Sequence, residues 1–186
     1  MLLQFTLMRA RPEIRLVAPA QAVAALRDVA TAGDTSLLDD IVSIDLAYGD
    51  PPVAYTLGGI LVEAVRIPHA GWPTGRLDVE NIAYRVTLDD EVTVLHLGDA
   101  DPRDNHFAQD SEYWAERRID MAFPPYWYFL APGGWEVLDI RLKPTHSVGV
   151  HVPEAMPDNP ANRPPEYQGF DLFTEPGETR SIQTTD

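Results

Sequence analysis

Between residues 41 and 97 the sequence is cut into short β-rich runs by turn signals, and this punctuation limits the fold more than any other feature. Runs at 41–46, 53–57 and 60–67 are separated by Gly49-Asp50-Pro51-Pro52 and by Gly58-Gly59. Runs at 82–88 and 92–97 flank Asp89-Asp90-Glu91. Gly, Pro and Asp at such points supply the backbone angles that reversals need, so the pattern predicts a meander of strands. Downstream, the spacing predicts a helix over 108–118, a strand over 119–123, a helix over 135–142 after Gly133-Gly134, and a strand over 147–151. Upstream, residues 1–10 read as a short helix and 14–17 as a short strand. The Ala-Val-Ala-Ala-Leu-Arg segment makes 20–30 helical, and 31–35 form a break around Gly33. A meander followed by β-α-β-α-β predicts an α/β (α+β) fold in which helices cover packed sheets, with residues 1–186 as a single domain. Beyond Val152, Pro153, Pro157, Pro160, Pro164 and Pro165 predict an extended surface loop. Residues 170–173 add a last strand before a frayed acidic tail.

Charge and composition narrow the function. The chain has 14 Lys and Arg against 29 Asp and Glu, a formal charge of −15, and no local run of basic residues offsets it. Such a field repels phosphate backbones, which argues against nucleic acid as a partner. No apolar run is long enough to span a membrane. The apolar start at residues 1–8 lacks the basic flank and cleavage site of a signal peptide. There is no Cys, so disulfides and thiolate ligands are excluded, and any metal must be held by His, Asp or Glu. That composition fits a cytoplasmic location.

Five histidines are available: His69, His96, His106, His146 and His151. A lone His is more often a surface or hydrogen-bonded core residue than a ligand. His69 differs by position, since it follows the 60–67 run and Pro68 and opens the loop Ala70-Gly71-Trp72-Pro73-Thr74-Gly75. Asp99 leaves the 92–97 run through Gly98, which permits a tight turn. His151 ends the 147–150 run. All three are therefore expected at strand ends, where a side chain is free to point away from the core. Alternation puts Leu95 and Leu97 on one face and Val94 and His96 on the other, so His96 reads as structural. His146, at the start of its strand, belongs at the opposite edge from His151. His106 lies in a polar loop, near the site without binding metal. Two His and one Asp suit Zn, with Fe or Mn as alternatives. A carboxylate can bridge two ions about 3.5–4 Å apart. Trp72, in the loop after His69, and Tyr126 and Trp127, after Pro124-Pro125, are candidates for an apolar substrate wall, against the plainer reading of core packing. There is no side-chain nucleophile in a recognisable setting: no G-x-S-x-G elbow, no Ser-His-Asp order and no Gly-rich phosphate loop.

The segments Val65-Arg66-Ile67-Pro68-His69, His96-Leu97-Gly98-Asp99-Ala100 and Val148-Gly149-Val150-His151, the last preceded by Leu142-Lys143-Pro144, together resemble the metallo-β-lactamase superfamily. Asn81-Ile82-Ala83-Tyr84-Arg85-Val86 resembles the strand before that family's Gly-Asp motif. The resemblance spans 11–152 and is nearest to the sugar-lactone and phospholipase-D-like branch. It implies an αβ/βα sandwich with the site on one sheet edge. In it His69 would be the third-motif histidine, Asp99 the bridging carboxylate and His151 the last histidine. It also implies Zn-dependent hydrolysis of an ester, lactone, amide or phosphodiester, with a metal-bound water as nucleophile. The sequence departs from the family at its first motif, His-x-His-x-Asp-His, because no His precedes His69. The expectation is therefore a sequence that starts just downstream of that motif, with a sandwich incomplete at its N-terminal end and impaired activity. The alternative is a non-catalytic module of the same fold. The partners expected are a small-molecule substrate, and a second copy or a completing chain.

Overall fold

In the longest strands, alternate residues divide into a helix-covered set and a second set. The computed structural model describes residues 15–30, 38–74 and 79–181. The expected helix at 1–10, the break at 31–35, Ile14 and Gly75 lie outside those residues. The chain divides into two compact units, Met1–Ala47 and Tyr48–Asp186.

In the first unit, β1 (Leu16–Pro19) runs parallel to β2 (Ile41–Ile44), with Leu16 opposite Ile41. The helix α1 (Ala20–Val29) follows β1 directly. Val23 and Leu26, one turn apart, are its buried residues. Its bounds agree with the helix read from the sequence.

The second unit is built on a six-stranded sheet. Its strands are β3 (Val53–Leu57), β4 (Ile60–Arg66), β5 (Ile82–Leu88), β6 (Val92–His96), β7 (Met121–Phe123) and β8 (His146–Ser147), and they lie side by side in chain order. β3 to β6 form the antiparallel meander; β7 and β8 are parallel to β6. Asp89 and Asp90 both take positive φ, at 50° and 59°, in the turn that joins β5 to β6. Asp tolerates that conformation better than most residues.

Short helices α2 (Asn105–Ala108), α3 (Ser111–Glu116) and α4 (Pro132–Glu136) connect the last three strands. One helix was expected over 108–118, but two form, with Gln109 and Asp110 between them. α4 starts earlier than expected. A Cβ on Gly134 would stand 2.3 Å from the Tyr128 carbonyl oxygen, so these glycines lie inside the helix, where only a bare Cα fits. α4 continues as a π-helical turn, Val137–Leu142, closed by a 2.8 Å bond from the Lys143 N–H to the Leu138 carbonyl.

Val65, Ala83, Leu95 and Ala122 on one sheet face form a continuous buried core with Phe107, Trp114, Val137 and Leu138 from the helical side. The other face carries Ile60, 42% exposed, Leu88, 40% exposed, and the half-buried Val62, Val86 and Val94. The mixed α and β content agrees with the expected class. Among the described residues, no helix is long and apolar enough to cross a membrane.

The Pro-rich segment is more organised than a surface loop. Arg163, 6% exposed, donates to the carbonyls of Pro157, Asp158 and Phe170 and gathers the segment around one guanidinium. Leu172 bridges Gly149 in parallel, a single pairing where a strand was expected. Residues 174–181 are not frayed. Arg180 holds Asp171 at 2.7 Å, and the Glu178 carboxylate accepts from the N–H groups of Thr174 and Glu175.

Candidate functional site at the sheet edge

The strand directions bring four chain exits to one edge. β4 ends at Arg66, opposite the start of β5 at Ile82. β6, β7 and β8 are mutually parallel, so their carboxyl ends share that edge. His69, Asp99, Tyr126-Trp127 and His151 follow these four ends.

Backbone pairing then fixes two of the exits together. His69 and Ala100 form an antiparallel bridge. The Ala70 N–H donates to the Asp99 carbonyl at 2.8 Å, and the Asp101 N–H to the Pro68 carbonyl at 2.8 Å. Gly98 takes a φ of +60°, and a Cβ there would lie 2.3 Å from Asn81 Oδ1. Glycine therefore satisfies both backbone angle and space. Asn81, 7% exposed, donates to the carbonyls of Ile67 and Leu97 and accepts from the Asp99 N–H at 2.7 Å. One buried amide thus ties the exits of β4 and β6. In the sequence Asn81 stands out only as the first residue of the segment that resembles the strand before the Gly-Asp motif, since its role depends on partners far along the chain.

The three side chains selected from the sequence converge. His69 Nε2 is 3.4 Å from Asp99 Oδ2, and His151 Nε2 is 3.2 Å from Asp99 Oδ1. Each imidazole addresses a different oxygen of one carboxylate. His69 is the most enclosed, with 13% of its side chain exposed; Asp99 and His151 are at the rim, 38% and 42% exposed. His151 holds a φ of +56°. That conformation costs about 1–2 kcal/mol for a residue with a Cβ, and such strain concentrates at functional positions.

The tautomer of His69 is informative. Its Nδ1 lies 2.9 Å from the Ala70 carbonyl oxygen, which can only accept. Nδ1 therefore carries the hydrogen. In the neutral ring, Nε2 presents a lone pair to a carboxylate oxygen, and two acceptors face each other. A cation accepted by both groups relieves that opposition. A ligating His commonly donates its second N–H to a carbonyl in this way.

Other expected residues are placed differently. His96 ends β6 on the face opposite Leu95, as alternation requires, and its Nδ1 accepts from the Gly98 N–H at 2.9 Å. Surrounding protein lowers its pKa although much of the side chain meets solvent. The charge of His151 acts in the same sense and Asp99 opposes it. His146 pairs with Asp171 at 2.9 Å, apart from the trio. His106 is not in a polar loop; it is in α2, 3% exposed, with Nδ1 2.8 Å from the Tyr48 hydroxyl and Nε2 3.4 Å from Asp101.

Of the proposed wall residues, the Trp127 ring is 6.1 Å from that of His151, while its indole is also packed against the core. Tyr126 packs on Trp127 and on Tyr167, 5.6 Å from each. Trp72 makes an edge contact with Tyr48 at 6.4 Å, and its carbonyl accepts from Arg103, which also binds Asp101. Of the three, Trp127 has a ring in contact with an imidazole of the trio, whereas Trp72 reaches it through its backbone N–H, which donates to the His69 carbonyl at 3.2 Å.

The donor chemistry suits a divalent cation, but the set falls short of a metal centre. Among the described residues, no group of three or more His, Asp and Glu is disposed to hold a metal ion. His69 and His151 straddle Asp99 without sharing a centre with it. Zn usually takes four ligands, and catalytic sites take at least three from protein. These residues therefore do not fit a complete metal site by themselves. Compared with protein-family models and with curated protein sequences, the chain matches none.

Proposed function

We propose that this chain supplies one half of the site of a metal-dependent hydrolase of the metallo-β-lactamase kind, built on an αβ/βα sandwich. The substrate class is an ester, lactone, amide or phosphodiester. The observation that carries this reading is the placement of Asp99 between His69 and His151, with the Nε2 atom of each imidazole directed at a different carboxylate oxygen. A carboxylate addressed on each oxygen by a separate imidazole has the form of a bridging ligand. The resemblance of the three strand-end segments assigns the same roles. Trp127, its ring tilted against that of His151 at 6.1 Å, would bound a substrate in this reading. Zn, or Fe or Mn, would need further ligands from outside this trio.

That deficit favours a second reading, a non-catalytic module completed by a partner chain. The half-exposed apolar sheet face, with Ile60 and Leu88, would be the surface such a partner covers.

Zn binding and hydrolysis, measured together on the intact chain, test both. Calorimetric titration is expected to show weak Zn binding that Asp99→Asn weakens by about tenfold or more, the scale typical for losing support at a metal site. Turnover of lactone, ester and phosphodiester substrates by the chain alone is expected near background. Zn binding that is indifferent to Asp99→Asn, His69→Ala and His151→Ala contradicts the shared site. Metal-independent hydrolysis surviving in Asp99→Asn contradicts the hydrolase reading.

A further inference from the structure

The acidic chain gathers four of its cations around one cleft. Arg117 and Arg118 end the segment after α3, and Arg141 and Lys143 close the π-helical turn; all four line an open cleft of about 520 Å³. No carboxylate is among the lining residues. In a chain with 14 Lys and Arg against 29 Asp and Glu, such a grouping opposes the overall field.

The acids that pair with these cations lie outside the lining and leave donors available. Arg141 is held by Asp104 through two bonds, at 2.7 and 2.6 Å, from its Nε and Nη2. Arg118 pairs with Asp120. The carboxylate oxygens nearest Arg117, from Glu63 and Glu116, stand 3.7 Å away, beyond hydrogen-bond reach. The Arg117 Nε–H and the Trp114 indole N–H are buried without an acceptor and are not open to the cleft, so the donors offered there are the remaining N–H groups of the three arginines and the Lys143 ammonium. Lys143 has no ion-pair partner among the described residues and holds a φ of +47°. Ile140, 50% exposed, gives the cleft an apolar side.

We propose that this cleft binds a phosphate-bearing small molecule, a phosphomonoester dianion with its organic part against Ile140. Three guanidinium groups and an ammonium exceed what one carboxylate accepts; a tetrahedral dianion offers more acceptor positions. The cleft is separate from the Asp99 site. Arg117 and Arg118 precede β7 and Lys143 precedes β8, so they occupy the amino edge of strands whose carboxyl edge carries Asp99 and His151.

The test is calorimetric titration of the intact chain with phenyl phosphate, at ionic strength held constant with NaCl. The expected result is saturable one-to-one binding. Lys143→Gln, an exposed change, weakens it roughly tenfold, the scale of a lost hydrogen bond to a charged group. Adding Arg117→Gln weakens it further, and His151→Ala leaves it unchanged. Circular dichroism confirms that each variant is folded. No saturable binding at high millimolar ligand overturns the proposal. So does binding no tighter than that of benzoate, binding unchanged by Lys143→Gln, or binding lost with His151→Ala.

Discussion

Arg85 is fully buried, and its partners explain how a guanidinium is tolerated inside a sheet. It binds both oxygens of Glu63 at 2.7 Å, donates to the Tyr113 carbonyl at 2.7 Å, and stacks 3.8 Å over the Tyr113 ring. Without Glu63 the only carboxylate left on Arg85 among the described contacts is that of the exposed Glu116, 3.2 Å away, and breaking a buried pair costs about 3–5 kcal/mol. Glu63→Ala is predicted to lower unfolding stability on that scale in a denaturant titration, and a loss under about 1 kcal/mol would mean the pair is dispensable. His106 sets a pH dependence. Burial holds its pKa below 6.5, with Arg103 acting in the same sense and Asp101 against it. On acidification the unfolded chain therefore takes up the proton first. Stability decreases as pH falls from about 6.5 toward the folded value, and is retained above that window. His106→Gln is predicted to flatten unfolding stability against pH between 7 and 5; an unchanged slope would assign the effect elsewhere. The strand-end trio was legible in the sequence because Pro68, Gly98 and Val152-Pro153 mark where the chain leaves the sheet. Asp101, Arg103 and His106 were not legible as a cluster, since their contacts depend on tertiary packing with Tyr48 and Trp72.

Elements in this chain are held at the site by a few buried polar contacts. Asn81 precedes β5 and fastens the exits of both β4 and β6. Asn81→Ala would leave the Ile67 and Leu97 carbonyls and the Asp99 N–H without this partner, at about 1–3 kcal/mol for each buried group left unsatisfied. Faster hydrogen exchange at the Asp99 amide, with a lower denaturation midpoint, is the predicted outcome. Unchanged exchange would show that Asn81 does not hold the loop. Gly98→Ala is predicted to cost more than the roughly 1–2 kcal/mol of its backbone angle, because a Cβ there also meets Asn81 Oδ1. Strand bounds from β3 to β6 were readable from alternation and turn residues. The divided helix at Asn105–Glu116 was not, because Gln109 and Asp110 carry no strong break signal. The early start of α4 was also hidden, since Gly133-Gly134 ordinarily marks a turn. Close packing against Tyr128 explains their place inside the helix.

At the scale of the whole molecule, one sheet organises two chemically opposite edges. The carboxyl edge gathers His69, Asp99, Trp127 and His151; the amino edge gathers Arg117, Arg118, Arg141 and Lys143. Composition disclosed the net charge but not the basic cleft, because its residues are separated in sequence and meet only through the β-α-β crossover. The fold class was legible for the opposite reason: a meander followed by alternating helices and strands leaves few ways to order the sheet. The central claim is that Asp99 joins His69 and His151 into one site. Histidine side-chain NMR on the intact chain, comparing it with Asp99→Asn, tests this most directly. Convergence predicts that the His69 and His151 imidazole resonances both move while those of His146, paired with Asp171, stay in place. Silence from both His69 and His151, or movement of His146 alone, would contradict it.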